Sequence, residues 1–526
     1  MARKLAWAVP ILFIGALFYW PLITILGRGF TQEWLHELVA PRTLEILWFT
    51  VWQAVVSTAL CIVLAIPGAY VLYRRKFSGQ KAIRALITIP FMLPTVVVAT
   101  AFSAFHNWNT NQAIWIITAH VFINYSLAVR TIGSQWAGLD RSTEEAAELA
   151  GAGRLRNFVS IAMPQLSGSL ISATATIFLY CATSYGIILM VGGGLINSLE
   201  TEIAAAAIGL LDLPKTAALA LLQTMLSVLA FTVSLRNGAS DIQFDGADDV
   251  KRNRLDSRDW FAVGLTALIV LGLLVAPMAN IFVRAFGSDK GFFYNFLLFD
   301  SRGFRDALNI TVAQAIGNSF RNMLISACIA MVVGVLLAWL MARNNKHRLE
   351  RVFDVALMMP LGISTVVLGL GYLVTFSNQF FPLRDSWLAV PVIQAVIAVP
   401  LVMRIVKPAI ASVGVAQKEA AATEGANIWQ IWRYVEVPQV KRSLITAAAF
   451  ASLISIGEFG AASLLAFGEQ ATLPTVLYTL ISRPGGDNYG MAMAVSVVLM
   501  LFTFSVVLVV SVETRRPDRR RRTVRA

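Results

Sequence analysis

The sequence predicts an all-α integral membrane protein with about twelve transmembrane helices, arranged as two parallel six-helix repeats. Three observations lead there. Of the 526 residues, 57% are hydrophobic and 14% are charged, whereas soluble domains carry about a quarter charged residues. The apolar residues gather into about twelve stretches near the length of roughly 20 residues that crosses a hydrocarbon core. A short polar pattern, Glu145-Ala146-Ala147 then Gly151 then Pro164, returns as Glu419-Ala420-Ala421, Gly425 and Pro438, each pair 274 positions apart.

In the first half the stretches lie near 5–26, 47–72, 85–105, 113–130, 165–190 and 216–235; in the second, near 260–283, 320–341, 352–376, 387–405, 442–465 and 490–512. The first is longer than a signal-peptide core and contains Pro10 and Pro21, so it reads as a retained helix. The net charge of +13 sits beside alternate helix ends: Arg74, Arg75 and Lys76; Arg141, Arg154 and Arg156; Lys251, Arg252 and Arg254; Arg343, Lys346 and Arg348; Arg404 and Lys407; and the tail with Arg515, Arg516 and Arg519. Excess Lys and Arg mark the cytoplasmic side, so both termini are expected in the cytoplasm. This placement argues against a nucleic-acid partner and for orientation and contact with anionic membrane lipid.

The chain divides into a first half (1–236), a cytoplasmic linker (237–259) rich in Asp and Arg, a second half (260–513) and a basic tail (514–526). The halves repeat outside the polar pattern too. Pro90 and Thr95-Val96-Val97 correspond to Pro360 and Thr365-Val366-Val367, 270 positions on, and Ser184-Tyr185-Gly186 to Glu458-Phe459-Gly460, again 274 on. Six spans per half make the repeat parallel, with a pseudo-two-fold axis along the membrane normal and a path near it. Cys61, Cys181 and Cys328 fall in apolar stretches without metal spacing and read as buried thiols. His106, beside Trp108, has no second ligand at metal spacing, and His120 reads as a hydrogen-bonded interior histidine. No metal site is expected.

The repeated pattern, at 141–164 and 415–438, has its own physics. Ser142 or Thr143 is expected to cap a short helix, with Glu144 and Glu145 favourable in its first turn. Gly151 then breaks the helix, Leu155, Phe158 and Ile161 form an apolar stripe, and Pro164 opens the next span. A short helix with an Ala face and a fixed turn suits a groove on another protein. One copy reads equally well as a helix lying on lipid; two copies in one register point to a partner with two matching sockets.

The pattern resembles the EAA motif of permease subunits of bacterial ABC importers: EAA, three residues, Gly, nine residues, Ile-x-Leu-Pro. This chain departs from it only conservatively, with Met163 and Val437 at the Leu position and Val435 at the Ile position. The resemblance covers essentially the whole chain. It implies that Glu145, Ala146, Ala147, Gly151 and Pro164, with Glu419, Ala420, Ala421, Gly425 and Pro438, form coupling helices for two copies of an ABC ATP-binding subunit, in a multi-pass protein of the bacterial inner membrane. It also implies an extracytoplasmic solute-binding protein. No GxxxxGK[ST] loop occurs in the sequence, so no catalytic residue or cofactor is assigned to this chain; ATP and Mg belong to the partner subunits.

Fused two-half permeases of this length resemble the thiamine and ferric-iron groups. Leu72-Tyr73-Arg74-Arg75-Lys76-Phe77, Ala119-His120-Val121-Phe122-Ile123-Asn124 and Ser455-Ile456-Gly457-Glu458-Phe459-Gly460 look like the thiamine group. The Gly-Glu-Phe-Gly string is more widely shared, so thiamine leads and ferric iron stays open. Glu458, Phe459, Ser184 and Tyr185 are candidates for the translocation path or its gate. An acid within a span faces a cavity or a partner, and Glu458 reads either as attracting a cationic solute or as a structural carboxylate bonded to a neighbouring helix; the breadth of the string favours the second. Glu200 and Glu202 are expected in an extracytoplasmic loop. The rival from another class is an ion-gradient-driven secondary transporter, which leaves the duplicated motif without a purpose.

Overall fold

The computed structural model describes residues 2–29, 32–103, 105, 111–210, 212–236, 253–343, 356–360, 362–376, 383 and 386–515. The expectations about His106 and Trp108, about linker residues 237–252 and about the tail from 516 onward lie outside the described residues.

The first half runs α1 (Ala6–Gly27), α2 (Pro41–Arg74), a bent pair α3 and α4 (Gln80–Met92, Thr95–Ser103), α5 (Gln112–Gly138), a short α6 (Arg141–Leu149), a bent pair α7 and α8 (Phe158–Gln165, Ser167–Ala182), then α9 (Gly186–Gly192), α10 (Leu199–Ala204) and α11 (Pro214–Val233). The second half repeats the plan with α12 (Ser257–Phe286), α13 (Val312–Ala342), α14 (Thr365–Thr375), α15 (Ala389–Ala411), a short α16 (Val415–Thr423), α17 (Ile428–Gly457), α18 (Gly460–Leu465), α19 (Leu473–Ser482) and α20 (Gly486–Val510). Among the described residues nine helices are long and apolar enough to span a bilayer, or up to eleven if each bent pair is one crossing. The remaining expected stretch, 352–376, is partly outside the described residues and ends in α14.

The bends have local causes. Leu93 precedes Pro94, which pushes it out of the helical region to φ −70°, ψ 142°. α3 therefore stops at Met92, and α4 departs at 98°. In the second half the matching corner is held by Ser364, whose hydroxyl accepts the Val366 and Val367 amides at 3.1 and 3.2 Å and caps α14.

The most extensive helix contacts are α2 with α5 and α13 with α15, the same pair in each half. In lipid, helices associate by close packing of small residues rather than by hydrophobic drive. Gly334 shows this, since a Cβ there would lie 2.7 Å from Val402 of α15. Each half also lends its first span to the other: α1 packs on α13 and α14, and α12 packs on α2 and α4. The Tyr19 hydroxyl donates to the Ala356 carbonyl at 2.9 Å and the Tyr372 hydroxyl to the Leu17 carbonyl at 2.8 Å. Both bonds join α1 to the second half; the packing of α12 on the first half is the reciprocal contact that a two-fold relation requires. The strand Arg75–Lys76 pairs in parallel with Asn253–Arg254, fastening the end of the linker to the first half.

Candidate functional site

The two polar patterns fold alike. α6 ends at Leu149 and α16 at Thr423, and Gly151 and Gly425 follow with φ of 84° and 86°. That left-handed conformation is the one glycine adopts without a Cβ penalty. It brings the Ala152 amide to the Ala147 carbonyl at 2.9 Å and the Ala426 amide to the Ala421 carbonyl at 3.0 Å, closing both helices in the same way. Farther on, the Met163 amide reaches back five residues to Phe158 and the Val437 amide to Trp432. Pro164 and Pro438 have no amide hydrogen to continue the ladder, and a π-turn absorbs the defect in each half. Glu145, Ala146, Glu419 and Ala420 are exposed; Ala147 and Ala421 are half-buried. Leu149 is 91% exposed, an apolar side chain offered outward beside the Ala face. The start of α6 differs from expectation. Asp140, not Ser142 or Thr143, caps it by accepting the Ser142 amide at 3.0 Å, because an aspartate two positions before Ser142 reaches the free amides first; α16 follows Gly414 with no side-chain cap.

Two of the path candidates, Tyr185 and Phe459, meet between the halves. Tyr185 and Phe459 directly precede α9 and α18, where two apolar stretches break. Their rings stack with centroids 5.4 Å apart and planes inclined by 23°. Residues 274 positions apart that touch each other lie on the pseudo-two-fold axis. Non-helical backbone at membrane depth persists only where protein buries it or a cavity is near, and both conditions hold. A cavity of about 460 Å³ lies on the ring pair, lined also by Ser463, Tyr478, Thr201 and Arg483. Tyr478 packs on Phe459 at 5.6 Å, and the Ser463 hydroxyl donates to the Tyr185 oxygen at 3.4 Å.

Glu458 is taken up by the structure beside it. Its carboxylate accepts the Ala461 and Ala462 amides at 2.8 and 3.1 Å, with Thr365 as a further donor, so it closes the first turn of α18. Bonds of this kind are those expected of the structural alternative. Ser184, its counterpart, is buried with no hydrogen-bond partner for its oxygen among the described residues. The broken helices cross their neighbours through glycine: a Cβ on Gly186 would lie 2.6 Å from the Thr95 hydroxyl, and one on Gly460 would collide with the Thr365 hydroxyl.

Two expectations are corrected. Glu200 and Glu202 are not loop acids; they are 1% and 4% exposed. Glu202 is held by Lys215 at 2.6 Å and Asn197 at 3.0 Å, and Glu200 by Gln223 at 2.9 Å and by Ser364 of the other half. Burial of a carboxylate is tolerated because each is paired or hydrogen-bonded. Cys328 lies on the outer surface of α13, whereas Cys61 and Cys181 are buried. His120 is buried with Ser57 at 3.4 Å, an interior histidine as expected. From sequence, Thr95, Thr365 and Ser364 carry no assigned role, and Glu200 reads only as a loop acid; aligning the halves at offsets of 270 and 274 draws attention to the two threonines only.

Two repeated helical units that exchange their first spans, meet at an axial aromatic pair and each carry a protruding polar helix define a membrane transport subunit. The chain belongs to the family described as Binding-protein-dependent transport system inner membrane component, which matches residues 62–237 and 334–520, one region in each half. It is a multi-pass inner membrane protein, and the family implies an ATP-binding subunit and a solute-binding protein as partners. It is similar to the thiamine transport system permease protein ThiP of Brucella abortus (strain 2308), 25% identical over 477 residues, 86% of this chain and 85% of that protein. The ThiP of Salmonella typhimurium is 24% identical over 540 residues, covering 94% and 95%. The sulfate transport system permease protein CysW of Escherichia coli (strain K12) is 29% identical over 249 residues, 43% of this chain and 81% of that protein.

Proposed function

We propose that this chain is the permease of an ATP-driven importer for thiamine, served by two copies of an ATP-binding subunit and an extracytoplasmic binding protein. The observation that carries the ATP-driven part is the pair of docking helices with one closing geometry, φ of 84° and 86° at Gly151 and Gly425. Two equal knobs suit two equal sockets. Likeness to thiamine permeases along nearly the whole chain, against about half of it for the sulfate permease, supports the solute. Ferric iron rests on shared sequence strings alone.

In this reading both termini are cytoplasmic, the chain binds no cofactor, and ATP and Mg act on the partners. Solute enters the cavity of about 460 Å³, whose floor is the Tyr185–Phe459 pair. A stacked pair contributes about 0.5–1.5 kcal/mol beyond its burial. A docking partner that fits one conformation better by a few kcal/mol suffices to open it. The broken helices α9 and α18 carry the two rings, so movement of α8 or α17 parts them.

The test is ATP hydrolysis and uptake by the complex in liposomes. Thiamine with its binding protein is expected to stimulate hydrolysis, and ferric ion with its own to leave it at the basal rate. Stimulation by ferric ion alone would replace the solute, and uptake that runs on a proton gradient without ATP would overturn the whole reading.

A further inference from the structure

The docking helices α6 and α16 carry opposite charges at one equivalent position. Glu144 and Lys418 are 274 residues apart, and each is half-buried where the neighbouring Glu145 and Glu419 are exposed. Both turn inward to the bundle rather than outward to a partner.

In the first half, Glu144 pairs with the guanidinium of Arg74, which ends α2 and is 6% exposed. The same guanidinium donates to the Trp136 and Leu139 carbonyls at the end of α5, each at 3.3 Å. One arginine thus joins α2, α5 and the docking helix. In the second half, Lys418 lies 3.2 Å from a carboxylate oxygen of Glu436, and Arg343, at the end of α13, lies 2.8 Å from the same oxygen. Glu436 is 0% exposed and sits in the π-turn that opens α17. One glutamate thus joins α13, α17 and the docking helix. The position equivalent to Glu436 is Ala162, so the second strut is not a copy of the first.

We propose that these two ion-pair nodes are the struts that carry movement of each docking helix into the membrane helices, with Glu144, Arg74, Lys418, Glu436 and Arg343 as positioning residues. This rests on the coupling role proposed above. The physical need is plain. Each docking helix is a nine-residue segment followed by a glycine in the left-handed region, and such a joint transmits little by itself. A charge-assisted, half-buried pair fixes direction as well as distance. Removing Glu144 takes the carboxylate from the buried Arg74, and removing Lys418 leaves the buried Glu436 with Arg343 alone of its two cations.

The test uses the full complex in liposomes and reads solute taken up per ATP hydrolysed. Glu144→Ala and Lys418→Ala are each expected to lower that ratio by about fivefold or more, with hydrolysis retained and the ATP-binding subunit still co-purifying. Glu144→Asp and Lys418→Arg are expected to keep the wild-type ratio. The double variant Arg74→Ala with Glu144→Ala is expected to be no worse than Arg74→Ala alone, because both remove one interaction. An unchanged ratio in both alanine variants overturns the struts, as does loss of co-purification, which would make these residues docking contacts. Absence of solute-stimulated hydrolysis in the wild-type complex would instead reject the coupling reading itself.

Discussion

Gly151 and Gly425 hold the same unusual backbone state at φ of 84° and 86°, with no neighbouring atom near enough to exclude a side chain. The constraint there is conformational, not steric. Aspartate visits the left-handed region more readily than other side-chained residues, so Gly151→Asp and Gly425→Asp are expected to leave the fold intact while placing a charge at the turn proposed to face the ATP-binding subunit. The double variant is expected to insert at wild-type levels and to lose at least about fivefold of its uptake per ATP, measured in the reconstituted complex. Normal uptake in that variant contradicts the coupling role. These glycines were legible from sequence because repetition at one offset marks them. Glu200 was not, since the Ser364 hydroxyl that explains its burial is 164 residues away in the chain.

At the scale of elements, the apolar stretches reveal number and length but hide their breaks. Composition is continuous through Leu93-Pro94 and through Thr183-Ser184; the first interruption comes from a proline, and at the second no side chain caps the start of α9. The repeat of Ser184-Tyr185-Gly186 as Glu458-Phe459-Gly460 pointed to the place without saying that the two would touch. Close passage of α18 across α14 depends on Gly460 facing Thr365. Gly460→Ala forces a methyl into that crossing, an overpacking cost of about 1–3 kcal/mol. Its apparent melting temperature in detergent is expected to fall, while Gly264→Ala, which meets open space in α12, is expected to leave it unchanged. Equal melting of the two variants contradicts the tight crossing.

For the whole molecule, the exchange of α1 and α12 between halves makes one unit of two repeats, and no contact of that kind can be read from periodicity. It also means that the docking loops cannot move as separate half-molecules without sliding α1 on α14 and α12 on α4. In the proposed cycle, alternation therefore involves rearrangement at the axial pair, where the breaks already lie. The central claim is that both repeated loops engage ATP-binding subunits on one face. The direct measurement is disulfide cross-linking from cysteines placed at the exposed Ala146 and Ala420, with Cys328 replaced, to a cysteine in the groove of the ATP-binding subunit. Both positions are expected to cross-link in the assembled complex and to resist impermeant thiol reagents added outside intact cells. Labelling of either position from outside, or cross-linking from only one of them, would contradict it.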